Sequence, residues 1–142
     1  MNKLIGAASL ILDDENKILL VKHSYGKCNR DLPGGKSEEK ESAEETARRE
    51  VNEEIGLNVK IEKLTGIYYD PQYDMHHFVF VAKNEDTNLK PKPNSPEILE
   101  CGYFSIDDLP KPMSDFTYNR IANFLNSSEV VFKVIGPRQW IE

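Results

Sequence analysis

The chain has 142 residues, a net charge of −6 and two cysteines. Its length predicts one domain, residues 1–142, that buries about two thirds of the surface of the unfolded chain. The acidic balance argues against a nucleic-acid polymer as partner, and no apolar run is long enough to span a membrane.

Strand patterns lie on both sides of one strongly helical segment. Runs rich in apolar and β-branched residues predict strands at 3–12, 17–22, 58–69, 75–83, 98–104 and 129–135. A turn at 13–16 would join the first two strands as a hairpin, followed by a polar loop at 23–31. Residues 105–110 are expected to form a short helical turn, and residues 115–125 a second helix. Strands mixed with two helices predict an α/β or α+β fold with the sheet between the helices.

Residues 43–55 carry clear helix signals. Ser42 and Glu45 form a capping box, in which each side chain satisfies a free backbone N–H of the other residue. Apolar residues recur at every fourth position and form a stripe: Ala43, Ala47, Val51 and Ile55. Gly56 supplies the left-handed residue that commonly ends a helix.

The same helix carries three glutamates near its apolar stripe. At about 100° per residue, Glu50 and Glu54 project within roughly 40° of one another and border the stripe. Glu53 lies one turn from Glu50 on the more polar side, so the three carboxylates can converge on one rim. Carboxylates in a partly desolvated site repel unless cations compensate, and their oxygens suit Mg²⁺ or Mn²⁺. A carbonyl of Gly34 or Gly35, just before the helix, is a candidate further ligand.

The segment from Gly35 to Leu57 reads G-x5-E-x7-R-E-U-x-E-E-x-G-U, where U is an aliphatic residue. It resembles the signature of the Nudix hydrolases at every defined position: Gly35, Glu41, Arg49, Glu50, Val51, Glu53, Glu54, Gly56 and Leu57. The resemblance implies an α/β/α sandwich with a mixed central sheet. It also implies that Glu41 and Arg49 form an ion pair that locks the preceding loop onto the helix. The alternative, a solvated acidic face on an ordinary helix, is disfavoured because capping box, stripe and signature agree.

Two positions depart from the family pattern. Lys40 stands where a glycine usually precedes the first glutamate of the signature, and Arg30 stands where a tryptophan often precedes the Pro-Gly-Gly sequence. Neither change removes a candidate ligand. Because of both changes, the sequence does not determine the loop geometry or the residues at the rim of the substrate pocket.

The resemblance implies hydrolysis of the pyrophosphate bridge in a nucleoside diphosphate derivative, with Mg²⁺ or Mn²⁺ as cofactor. The substrate could be a nucleotide, a nucleotide sugar such as ADP-ribose, or a dinucleoside polyphosphate. The candidate metal ligands are Glu50, Glu53, Glu54 and Gly35. The family takes its general base from the signature or from a later loop, so Glu53 and Glu97 are the catalytic candidates, with Glu100 in reserve. Glu97 is equally typical of an exposed loop acid.

Candidates for substrate contacts are weaker. Arg30 and Lys36 could pair with phosphates, and Tyr73 could stack on a base. Each is also typical of an ordinary surface residue. Pro71 resembles a family marker for ADP-ribose enzymes and Tyr73 one for dinucleoside polyphosphate enzymes, so the markers do not decide the substrate.

Several features leave alternatives open. His76 and His77 are neighbours on a strand and should face opposite ways, which makes them a poor metal pair. The segment 137–140 could cover the core, line a dimer interface or cap the pocket. Cys28 and Cys101 lack the spacing of a zinc site or a disulfide framework, which favours a reducing cytoplasm.

Two classes of function fit the sequence. The first is a Mg²⁺-dependent pyrophosphohydrolase, and the second is a non-catalytic nucleotide sensor on the same fold. Such sensors typically lose signature glutamates, and none is lost here, so the enzyme is favoured. The expected partner is a small nucleotide-type substrate, with no nucleic-acid polymer and no membrane, and a homodimer is left open.

Overall fold

The structure is a computed structural model that describes residues 3–142. Ten strands and two helices follow one another in this range. Their bounds are β1 Leu4–Ile11, β2 Ile18–His23, β3 Arg30–Asp31, β4 Gly34–Lys36, α1 Ala43–Ile55, β5 Val59–Asp70, β6 Met75–Asn84, β7 Ile98–Phe104, β8 Met113–Ser114, α2 Asp115–Asn126, β9 Val131–Val134 and β10 Trp140–Ile141.

The strands form two five-stranded sheets. The first has the order β4-β1-β6-β5-β9 and the second the order β10-β8-β3-β2-β7. The first sheet is mixed, because β1 runs parallel to β6 and β5 parallel to β9, whereas its other pairs are antiparallel. In the second sheet β3 runs parallel to β8.

The two helices cover different faces of the strands. Successive residues of a strand point to opposite sides, so Ala8 and Leu10 pack in the cluster that contains Ile121 of α2. Ile11, from the same strand, packs with Val51 of α1. Strands therefore lie between two helices, which confirms the predicted α+β sandwich, with two sheets in place of a single central one.

Helix α1 has the predicted bounds because both of its caps form. The Ser42 hydroxyl accepts a hydrogen bond from the Glu45 backbone N–H, and the Glu45 carboxylate accepts one from the Ser42 N–H, both at 3.1 Å. Gly56 takes the left-handed conformation with φ of 74°. The fixed helix ends determine which carboxylates face the sheet.

Three details of the sequence prediction are wrong. Strands β1 and β2 do not form a hairpin, since they belong to different sheets and meet only at the isolated bridge between Leu12 and Ile18. Residues 105–110 contain a hydrogen-bonded turn, closed by Asp108 N–H on the Ser105 carbonyl, but no helix. The loop expected at 23–31 contains the short strand β3, and the short strands β4, β8 and β10 were not predicted, because two or three residues carry no readable periodicity. Within residues 3–142, no helix is long and apolar enough to cross a bilayer.

Candidate functional site

The glycines of β4 bring its backbone against β1 and α1. A Cβ on Gly34 would collide with the carbonyl oxygen of Ala7 and lie 2.8 Å from the Cα of Ala8. A Cβ on Gly35 would lie 2.7 Å from the carboxylate carbon of Glu50. Glycine is needed at both positions because of these approaches. The missing side chains let the carboxylates of α1 reach the backbone of β4.

Glu54 and Glu50 lie together beside this strand. Glu54 is only 4% exposed, and its Oε2 accepts a hydrogen bond from the Gly34 N–H at 3.0 Å. Burial first, and then the neighbouring Glu50 carboxylate, raise the pKa of Glu54 to about 9. The Arg49 guanidinium donates to Glu50 at 2.8 Å. At neutral pH Glu54 is therefore protonated in the metal-free protein.

The chemistry of this pair fits a divalent cation. Glu54 Oε1 is buried and has no hydrogen-bond partner among the described residues. A buried polar atom left in that state costs about 1–3 kcal/mol. A cation held between the carboxylates would give this oxygen a partner and relieve the repulsion that keeps Glu54 protonated.

Glu53 lies at the exposed edge of this pair, because the Arg49 Nη1 atom that donates to Glu50 also donates to Glu53. Its side chain is 56% exposed, and its carboxylate accepts a hydrogen bond from Arg49 at 3.1 Å on the solvent side of α1. Across residues 3–142, no group of three or more His, Cys, Asp or Glu side chains has the spacing of metal ligands. Glu50 and Glu54 therefore meet beside β4, with Gly35 packed against Glu50, and the Glu53 carboxylate is linked to Glu50 through Arg49.

Arg49 ties the loop before α1 to the helix. Its guanidinium donates to both carboxylate oxygens of Glu41, at 2.7 and 2.9 Å, and to the Lys36 carbonyl at 3.1 Å. Hydrogen bonds from Arg49 are the main reason that the pKa of Glu41 falls to about 2. Lys40 lies in this loop with φ of 62°, a left-handed conformation that explains why glycine is usual there.

Glu97 and Arg30 lie outside the carboxylate pair. Glu97 is exposed on the loop before β7, and its backbone carbonyl accepts from the Ser24 N–H at 2.8 Å. Burial raises the pKa of Tyr25, and the negative charge of Glu97 raises it further. The charge of Glu54 makes a smaller contribution in the same direction. Glu97 and Glu54 therefore both lie within electrostatic range of Tyr25. Arg30 is engaged elsewhere, since its guanidinium pairs with the reserve candidate Glu100 at 2.8 Å.

A cavity of about 270 Å³ opens beside β4. Gly34, Gly35 and Lys36 line its outer end, next to the carboxylate pair. Of the predicted substrate contacts, Lys36 alone lines this cavity, whereas Arg30 does not. Tyr73 is 57% exposed on the turn between β5 and β6 and lies outside the cavity as well.

The inner end of the cavity is built on Asp31. Its carboxylate has three side-chain partners: His23 Nε2 at 3.3 Å, Arg120 Nη2 at 2.8 Å and Thr117 Oγ1 at 2.7 Å. Burial alone would raise the pKa of Asp31. These partners outweigh burial, the His23 hydrogen bond most of all, and lower that pKa to about 2. Asp31 is therefore ionised at neutral pH and holds α2 against β3.

The C-terminal segment closes the inner end. Strand β10 pairs with β8, and both Arg138 and Trp140 line the cavity. Arg138 donates to Asp70 at 2.9 Å and lies over the Phe116 ring, 4.6 Å from its centroid. Of the three roles left open for residues 137–140, the structure supports that of a cap on the pocket.

The two adjacent histidines face opposite ways, as expected. His77 lines the cavity and packs edge-on against Phe116, whereas His76 packs against Tyr69. Burial and then the positive charge of Arg120 lower the pKa of His77 to about 4. His77 is consequently neutral at physiological pH.

Sequence reasoning missed most residues of the inner end, namely His23, Asp31, Phe116 and Arg120. One signal was available, because Arg120 lies on the buried face of α2 beside Ile121, and a buried arginine requires an acidic partner. No pattern along the chain could show that this partner is Asp31, which lies 89 residues away.

Comparison with known proteins places this geometry in a family context. The family model of the NUDIX domain matches residues 3–124. A Bacillus subtilis (strain 168) protein with the provisional name 8-oxo-dGTP diphosphatase is 41% identical over 76 residues, which are 53% of this chain and 50% of that protein. An ADP-ribose pyrophosphatase of Methanocaldococcus jannaschii is 34% identical over 108 residues, which are 71% of this chain and 62% of that protein. The chain thus spans less than two thirds of the length of either relative.

The fold also matches solved structures. The crystal structure of an ADP-ribose pyrophosphatase from Streptococcus suis 89-1591 aligns with a TM-score of 0.75 at 25% identity. That alignment covers 94% of this chain and 100% of the other. The arrangement of helices and sheets is therefore shared across almost the whole chain.

Proposed function

This chain belongs to the NUDIX family, and from that premise we propose that it hydrolyses the pyrophosphate bridge of a nucleoside diphosphate derivative with Mg²⁺ or Mn²⁺ as cofactor. Residues 1–142 would form a single domain for this reaction. The names of its relatives, an ADP-ribose pyrophosphatase among them, support this class of substrate. The expected cytoplasmic location agrees with the two free thiols, Cys28 and Cys101.

One observation carries the proposal. The Glu54 carboxylate is 4% exposed, lies against Glu50 and leaves Oε1 without a partner among residues 3–142. A purely structural glutamate at this position would leave a buried oxygen unsatisfied and could ionise only against the charge of Glu50. The pair also lies against Gly34 and Gly35, which line the outer end of a cavity where phosphates of a bound substrate would lie.

The residues divide into ligands and supports. We assign Glu50 and Glu54 as the principal metal ligands, with the Gly35 carbonyl and Glu53 as further candidates. A divalent cation bound there would neutralise phosphate charge and make water easier to deprotonate. Lys36, at the outer end of the cavity, is placed to donate to a phosphate oxygen.

We assign the general base to Glu97 before Glu53. Arg49 already holds the Glu53 carboxylate by a hydrogen bond. Within the described residues the Glu97 carboxylate makes no hydrogen bond, and its charge lies close enough to Tyr25 to raise the pKa of that residue, as does that of Glu54. An unengaged carboxylate near the scissile bridge is suited to accept the proton of an attacking water.

The test is a product screen over nucleoside diphosphate derivatives, with Mg²⁺ and with EDTA. We expect nucleoside monophosphate to be released with Mg²⁺ or Mn²⁺ and no release with EDTA. Full turnover in EDTA would reject the metal-dependent mechanism. Tight nucleotide binding without turnover of any member of the set would instead indicate the sensor.

A further inference from the structure

We propose that Arg138, in the C-terminal segment, is a specificity-determining residue that selects substrates with a guanine-type base over those with adenine. The inference rests on the proposed function, because it assumes that a nucleotide occupies the cavity. It goes further by naming the base and a residue beyond the part of the chain that the NUDIX domain model matches, residues 3–124.

The dimensions of the cavity determine which part of the substrate reaches Arg138. Ligand pockets usually measure about 300–1,000 Å³, and this cavity measures about 270 Å³. It can enclose one nucleoside rather than a whole dinucleotide. With the phosphates beside Lys36 and the carboxylate pair, the base must point to the inner end, where Arg138 and Trp140 lie.

The charges of the inner end suit a neutral base. The two guanidinium groups are each paired with a carboxylate, Arg120 with Asp31 at 2.8 Å and Arg138 with Asp70 at 2.9 Å. This end therefore carries no excess positive charge for a second phosphate. It also offers aromatic surface from Trp140, which is 38% exposed; a phosphate does not need such a surface and a base does.

The two arginines at this end still have donors to offer. Arg138 uses Nη1 for Asp70, and its other nitrogens make no hydrogen bond within the part of the chain that the structure describes. Nε of Arg120, which is 5% exposed, is likewise unpartnered there, as are one ring nitrogen each of His23 and His77. Asp31, the nearby carboxylate, is already taken by three partners. The part of a ligand that meets the two arginines must therefore present acceptors.

Guanine presents two adjacent acceptors, O6 and N7, to which one guanidinium can donate twice. Adenine places an amino donor beside N7, so two donor groups would face each other. Asp70, 1% exposed, fixes one edge of the Arg138 guanidinium and leaves the other edge to the cavity. The fork is thus held in place before the base arrives, which lowers the cost of ordering it.

The experiment measures binding of GMP and AMP with Mg²⁺ present. Trp140 is the single tryptophan of the chain and lines the cavity, so its fluorescence reports occupancy. A bidentate arginine contact discriminates between bases by about 1–3 kcal/mol, or roughly fivefold to 150-fold in Kd. We expect GMP to bind the unaltered protein more tightly than AMP by a factor within that range.

Arg138→Lys tests the residue itself. Lysine keeps a positive charge for Asp70 but loses the planar fork, so the ratio of the two Kd values should fall to near one while AMP binding changes little. Arg48→Lys, on the exposed side of α1, is the matched control and should keep the ratio. Equal thermal melting of the variants shows that the fold is intact.

Each outcome decides one question. A ratio near one in the unaltered protein, or one that Arg138→Lys leaves unchanged, overturns the inference. Equal weakening of GMP and AMP also overturns it, because it assigns Arg138 to the ribose or phosphate that both ligands share. Selective binding of GMP without turnover would reject the proposed hydrolysis and leave this inference standing. Turnover without selective binding would support the hydrolysis and overturn this inference.

Discussion

In the metal-free protein, Glu54→Gln should stabilise the fold at neutral and alkaline pH. The pKa of Glu54 is raised from 4.5 to about 9, first by burial and then by Glu50. An unfolded chain ionises this carboxyl near its ordinary pKa, whereas the folded chain does not. The folded state is therefore progressively destabilised as pH rises from 4.5 to 9, and glutamine, which does not titrate, escapes the loss.

The size of this effect on stability follows from the pKa shift of Glu54. Each pKa unit is worth about 1.36 kcal/mol, so between pH 5 and pH 8 the Glu54 carboxyl should lower the free energy of unfolding by about 4 kcal/mol. That is a large fraction of the 5–15 kcal/mol that is typical of a domain. Glutamine can still accept from the Gly34 N–H and can donate to Glu50, so its shape and its hydrogen bonds suit the site.

Urea denaturation in EDTA at pH 5 and pH 8 measures this difference. Wild type should lose far more stability than Glu54→Gln over that interval, and Glu53→Gln, at an exposed position one residue away, should behave as wild type. With Mg²⁺ added, the order should reverse, because only wild type gains from cation binding. Equal pH dependence of wild type and Glu54→Gln would refute the reasoning.

Three further outcomes are expected. Gly34→Ala should cost about 1–3 kcal/mol of stability by forcing a Cβ into the β1 backbone, whereas Gly136→Ala, with open space around it, should match wild type in the same melts. Asp31 has a folded pKa of about 2, below its ordinary 3.8, so its stabilisation is present above pH 3.8 and roughly 2 kcal/mol is lost as pH falls towards 2. Asp31→Asn should lack that acid-induced loss of stability. It should also be less stable than wild type at pH 7, because Arg120 is left buried without a counter-charge. The midpoints of urea denaturation at pH 7 and near pH 2 test both expectations. Glu97→Gln should lower kcat roughly 100-fold at neutral pH, with Mg²⁺ affinity unchanged and partial recovery towards pH 10, and a pH profile identical to wild type would remove Glu97 as the base.

The helix and its carboxylate pair could be predicted because their signals are local. The Ser42 capping box and Gly56 determine the helix ends, and helical spacing alone brings Glu50 and Glu54 to one side. The same spacing put Glu53 one turn from Glu50, but it could not show that Arg49 donates to both carboxylates and that Glu53 is the exposed one. Rotation about a helix axis gives the direction of a side chain but not its partner.

The sheets and the inner end of the cavity depend on distant contacts. Periodicity located β1 and β2 to within two residues, yet it could not tell that the turn between them sends the chain into a second sheet. Likewise, Asp31 and Arg138 lie in segments without periodic pattern. Their roles arise from partners that tertiary packing supplies.

The hydrogen bonds that build the two ends of the site differ greatly in sequence separation. The hydrogen bond from Gly34 to Glu54 spans 20 residues, whereas that from Arg138 to Asp70 spans 68. Contacts between close neighbours form with less loss of chain entropy and so tend to form earlier. We expect pulsed hydrogen exchange during refolding to protect the Gly34 amide before that of Ile135, which donates to the distant Tyr69 carbonyl. A folding chain would then be able to bind a metal ion before it can enclose a nucleotide.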